Sequence, residues 1–160
     1  MKQFKRANGF TLIELVVVIV ILGILAATIV PRFTNLHADA RASVVTGMEA
    51  SVRSATSMYH GVKLALGTTA GVAVPNSRFE GVGVDVTDIF TYPAATAAGI
   101  TAIVDDAGND FTVTYTTGTP ATTVWSYTGA ATAANCQVVY TAAAAAGSPP
   151  TIVAITTNCL

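Results

Sequence analysis

Charge is what this sequence has least of. Charged residues make up 11% of the 160 positions, against about 25% in an ordinary soluble domain, and 8 Lys and Arg nearly balance 9 Asp and Glu for a net charge of −1. A surface so poor in charge suits a subunit buried among copies of itself. Basic residues stop altogether after Arg78, whereas Glu80, Asp85, Asp88, Asp105, Asp106 and Asp110 follow. The distal part is therefore weakly acidic, and direct nucleic-acid binding is disfavoured. Histidine is limited to His37 and His60, which on one straight helix lie about 35 Å apart and share neither a metal nor a substrate. No catalytic constellation emerges, so an enzyme is the least favoured class and neither cofactor nor metal is expected. The acids from Asp105 to Asp110 are of the kind calcium accepts, but they lack the spacing and closing Glu of an EF-hand loop, and a solvated turn is the better reading.

What the chain does have is a long apolar run. Between Phe10 and Val30 the only charge is Glu14, and Pro31 and Arg32 close the run. As a helix it is about 31 Å long, enough for a hydrocarbon core of about 30 Å. Ahead of it Lys2, Lys5 and Arg6 stand with no acid, which holds that end in the cytoplasm and turns the bulk of the chain outward. No small-residue cleavage pattern ends the run, so it is expected to stay. Glu14 is the anomaly, because an ionisable group in a membrane helix costs up to about 3 kcal/mol at the centre and implies a partner. Snorkelling to the interface is one answer. The other is that, if the chain is cut after Gly9, Phe10 acquires a free ammonium group that a neighbouring subunit's Glu14 could neutralise.

The order of these residues, a short basic leader, Gly9, then Phe10-Thr11-Leu12-Ile13-Glu14 and an uninterrupted apolar helix, resembles the type IV prepilin signature. The resemblance implies cleavage between Gly9 and Phe10 by a prepilin peptidase that also methylates the Phe10 amine. It implies that Glu14 pairs with a neighbour's Phe10 during assembly, and that the stretch from Gly23 to Pro31 can kink or unwind within a filament. The implied partners are other copies in a helical homo-oligomer, the peptidase/methyltransferase, the inner-membrane pilus assembly machinery, and the membrane before assembly. The implied places are the inner membrane for the precursor and an extracellular fimbrium afterwards.

The rest of the chain fits an α+β fold, a long N-terminal helix packed on an antiparallel sheet of about four strands. Phe33, Leu36, Ala40, Val44, Met48, Val52, Ala55, Tyr59 and Val62 recur every three or four residues and predict one apolar stripe. The expected helix runs from about Phe10 to Tyr59, softened near Pro31, with Gly61 and Gly67 as stop signals. Residues 67–99 read as irregular, with Val82 to Val86 as a short edge strand and Thr96 to Val104 as one or two helical turns. Strands are expected at Phe111–Thr116, Thr123–Thr128, Gln137–Thr141 and Thr151–Thr156.

Cys136 and Cys159 fall in the outward-facing part, where thiols oxidise. With no His near them in sequence they make a poor zinc site. A disulfide worth about 3 kcal/mol is preferred, with a free thiol pair as the alternative. It resembles the bridge that bounds the C-terminal region of type IV pilins. Trp125 and Tyr127 share parity on one strand. A buried aromatic face is preferred to a sugar platform.

The organisation expected is a leader at residues 1–9, a membrane or filament-core half-helix at 10–30, and a single head at 31–160. Tyr92-Pro93-Ala94-Ala95, Gly99-Ile100, Cys136 to Tyr140, Ala146 to Thr151 and Cys159 further resemble subunits of the mannose-sensitive haemagglutinin pilus. That resemblance implies attachment and biofilm formation, with host or surface glycans as candidate partners. A type II secretion pseudopilin and an adhesive glycan-binding minor pilin are the rival readings.

Overall fold

The computed structural model describes residues 10–67, 69–75, 87–104, 110–157 and 159. The chain divides into two units, residues 1–37 and Ala38–Leu160. Helix α1 (Leu12–Leu66) begins in the first and ends in the second. In the first unit its residues Leu12–Val30 are long and apolar enough to cross a membrane, with none of that stretch buried. Thr28, a polar residue in the run, donates its hydroxyl to Leu25 O at 2.9 Å, which satisfies it without a neighbour.

In the second unit α1 continues past the expected end at Tyr59. Gly61 is passed and the helix stops at Gly67, whose φ of 61° is the left-handed conformation that closes helices. Gly67 N donates to Leu64 O at 3.1 Å. A glycine in an exposed helix weakens it without ending it. The buried stripe also differs from the expected one. Val45, Met48, Val52, Ala55 and Tyr59 are buried, whereas Leu36, Ala40 and Val44 are exposed. The cause is phase: each step of four residues overshoots a full turn by about 40°, so the 36-40-44-48 series drifts around the helix. The alternating steps from Val45 stay on one face.

Four strands form an antiparallel meander in sequence order, β3 (Phe111–Thr116), β4 (Thr122–Tyr127), β5 (Gln137–Thr141) and β6 (Thr151–Ile155). Period-two alternation places one set of residues inward. Trp125 lies opposite Val113 and Val138, which in turn faces Ala154. Trp125, Val138, Tyr140 and Ile152 share one core with Val45, Met48, Val52 and Ala55 of α1. The opposite face carries a row of threonines across all four strands, Thr116, Thr122, Thr141 and Thr151. Thr116 and Thr122 are hydrogen-bonded through their hydroxyls. Threonine is a strong strand former, and here it supplies polarity to that face where charge is lacking.

Among the described residues between helix and sheet, two short strands stand where the sequence reads as irregular. Strands β1 (Asp88–Ile89) and β2 (Tyr92–Pro93) make a two-residue hairpin whose turn residues, Phe90 and Thr91, both have positive φ. The short helix α2 (Ile100–Ile103) lies within the span expected to be helical. The expected edge strand at Val82 to Val86 lies outside the described residues, as does most of the acidic turn, residues 105–109.

Candidate functional site

At the head of α1, Glu14 is held by its own chain. Its Oε2 accepts from the Thr11 backbone N–H at 2.9 Å and from the Thr11 hydroxyl at 2.8 Å, while the Glu14 N–H donates back to Thr11 Oγ1 at 3.4 Å. This is a capping box, in which a Thr and a Glu three residues on satisfy each other's orphan groups at a helix start. The helix dipole also favours a carboxylate in the first turn. Glu14 therefore has a local partner before any neighbour arrives. The sequence signal for it is Thr-x-x-Glu just ahead of an apolar run. Phe10 stands beside this box, 92% exposed, and Gly9 lies outside the described residues. Gly23 has open space where a Cβ would stand, and the helix is continuous through Gly23 and Pro31, so Pro31 is not a helix boundary.

The head is secured at two places. Cys136 and Cys159 form the disulfide, with Cα atoms 5.1 Å apart and a sequence separation of 23, and both are buried. At the end of α1, Lys63 Nζ donates to Thr69 O at 3.0 Å and Val72 O at 2.6 Å, and pairs with Asp88 Oδ2 at 3.3 Å. Asp88 Oδ2 also accepts from Gly71 N at 3.2 Å. Both charged side chains are fully buried. Asp88 thus does not belong to the acidic outer surface that sequence alone suggested. No sequence signal joins residues so far apart. Tyr59 lies near this pair, and burial first, then the Asp88 charge, pushes its hydroxyl well above the ordinary range.

His60 stacks on Tyr92 with ring centroids 4.2 Å apart, and its Nδ1 is 3.1 Å from Thr91 O. His37 is exposed. Trp125 is fully buried and Tyr127 partly so. The pair therefore offers no exposed sugar platform. An open groove lined by Arg53, Ser57, His60, Tyr92, Pro149 and Pro150 has its one guanidinium already engaged, by Glu49 at 2.6 Å and Ile152 O at 2.6 Å. Among the described residues no cluster of three or more His, Cys, Asp or Glu could hold a metal ion.

Comparison with known proteins points to the N-terminal box. Residues 4–30 match the family described as the prokaryotic N-terminal methylation motif. The chain is 58% identical over 50 residues to the type IV narrow pilus major component PilA5 of Thermus thermophilus, covering 31% of this chain and 43% of that protein. It is 42% identical over 77 residues to the type IV major pilin protein PilE1 of Neisseria gonorrhoeae, covering 46% of this chain and 47% of that one. It is also 44% identical over 57 residues to the type II secretion system core protein G of Pseudomonas aeruginosa, covering 36% and 40%. The chain thus spans less than half the length of each of these relatives. No solved structure matches. The chain thus carries the methylation motif at residues 4–30 and is similar to type IV pilins over part of its length, and its long N-terminal helix and antiparallel sheet are consistent with the α+β fold of that family.

Proposed function

We propose that this chain is the structural subunit of a type IV pilus, made as a membrane-held precursor, cut between Gly9 and Phe10, methylated on Phe10 and polymerised into a surface filament. One observation carries this reading. An apolar half-helix with none of its membrane-length stretch buried in its own chain starts at a motif described by methylation. In water such a surface has a strong drive to associate, and side-by-side copies of the same helix would bury it. Glu14 then pairs with a Phe10 ammonium and sets the register between subunits. The basic leader keeps its end in the cytoplasm and the head outside before assembly. The stretch from Gly23 to Pro31, a glycine with no packing constraint and a proline that removes a helical hydrogen bond, unwinds when subunits are packed in the fibre. The filament serves attachment and biofilm formation, with surface glycans as partners, in the manner of the haemagglutinating subgroup that the C-terminal half resembles.

Electron microscopy of sheared surface material, with mass spectrometry of the main band, tests this reading. The expected result is a fibre whose subunit begins at methylated Phe10. A band that starts at Met1, or a chain that stays single in the envelope, overturns it. Glu14→Val is expected to leave cleavage and membrane insertion intact and to reduce filaments, and normal piliation would remove the role given to Glu14.

A secretion pseudopilin is the second reading, favoured by the similarity to the type II secretion core protein G. Calcium-dependent melting of the head, with no surface fibre, would select it.

A further inference from the structure

Resting on the pilus reading, we infer that Thr11 is a positioning residue that aims Glu14 at the ammonium group it neutralises. The Thr11 hydroxyl does two things at once, donating to Glu14 Oε2 and accepting from the Glu14 N–H. The Thr11 amide adds a second bond to the same oxygen. All the hydrogen bonds that Glu14's carboxylate accepts from described residues therefore end on Oε2, and Oε1 is left to receive a cation. A glutamate on an open helix turn loses rotamer freedom when it pairs. Here the carboxylate is already ordered at the helix start, next to Phe10.

The box is also indifferent to processing. Cleavage between Gly9 and Phe10 leaves the Phe10–Thr11 peptide bond intact, so the Thr11 N–H that binds Oε2 persists in the mature chain. The Phe10 nitrogen, one residue before the Thr11 that holds the carboxylate, changes from an amide to an ammonium. Thr11 therefore prepares the acceptor before the peptidase creates the donor, and assembly begins from a fixed geometry. Preorganisation of this kind raises the productive fraction of encounters without adding a contact.

The test uses the full chain carrying Thr11→Ser, Thr11→Val or Thr11→Gly. Serine keeps the hydroxyl, valine keeps the branched shape without it, and glycine lacks the hydroxyl while costing a helix cap only a few tenths of a kcal/mol. Filament yield in the sheared fraction is expected to stay near wild type for serine. It is expected to fall about tenfold or more for valine and glycine, the scale of one lost hydrogen bond to a charged group, with leader cleavage equal by mass spectrometry. If Thr11 only caps the helix, glycine assembles like serine, and the inference is wrong. A second measurement does not depend on polymerisation. Side-chain couplings of Glu14, read by NMR on the processed chain in detergent micelles, should report one rotamer in wild type and Thr11→Ser, and averaging in Thr11→Val and Thr11→Gly. Equal couplings in all four overturn the inference even if filaments form. Absence of filaments from the wild type, with these couplings as expected, overturns only the pilus reading.

Discussion

Lys63 illustrates what a buried charge needs. Its ammonium finds three acceptors, two of them carbonyls of the segment that follows the helix, and it joins the end of α1 to the hairpin at Asp88. Removing one partner of such a pair leaves the other uncompensated. Lys63→Met is therefore expected to destabilise the head by about 3–5 kcal/mol, and Lys63→Met with Asp88→Leu to recover much of that loss. Thermal melting followed by the fluorescence of Trp125, the only tryptophan and fully buried, reads the head alone. Tyr140 is the second residue with a price. It is fully buried and donates to Pro93 O at 2.6 Å. Burial first, and then the nearby Tyr92 and Tyr59, push its pKa above the ordinary value of 10.0. The folded head thus holds this proton where the unfolded chain has released it. Stability is full below about pH 10 and falls as pH rises beyond it. Tyr140→Phe should flatten part of that alkaline loss, with Tyr59 accounting for another part, in melts recorded from about pH 8 to 12.

Two glycines of α1 show how an element's ends are decided. Gly61 is helical with open space where a Cβ would stand, whereas Gly67 has φ of 61°. Gly61→Ala is expected to stabilise the head by up to about 1 kcal/mol. Gly67→Ala should destabilise it by a similar amount, about 1 kcal/mol, because alanine is strained in the left-handed region. Opposite shifts in denaturation midpoint would check both, and equal signs would contradict the assignment of the helix end. Periodicity made the four strands legible to within about a residue at each end, because Thr, Val, Tyr and Ile alternate between clear turn residues. It did less well on α1, where apolar residues at steps of four offered a plausible stripe through Leu36, Ala40 and Val44. Only packing against the sheet selected Val45 instead. The β1–β2 hairpin was not legible at all. Its turn places Phe90 and Thr91 at positive φ, which neither residue prefers, so no local signal announces it. Contacts made by its flanks, Asp88 to Lys63 and Tyr92 to His60, secure it on the helix.

At the scale of the whole molecule the two units differ in what they bury. Residues 1–37 hold an apolar stretch with none of it buried, while Ala38–Leu160 contains the helix-on-sheet core and the disulfide. A chain that starts at Ala38 should stay soluble without detergent, and the full chain should not, which sedimentation in the two conditions will show. Reducing the Cys136–Cys159 bridge should lower head stability by about 3 kcal/mol, measured as the difference between Trp125 melts with and without reductant. The sequence by itself determined the apolar half-helix, the Gly9–Phe10–Glu14 order, the strand positions and the cysteine pair, because each depends on local composition or short-range period. Tertiary structure alone decided which face of the helix is buried, that Lys63 meets Asp88, and how the connecting hairpin is held. Those outcomes depend on contacts between residues far apart in the chain, whose energies appear only when the surfaces meet.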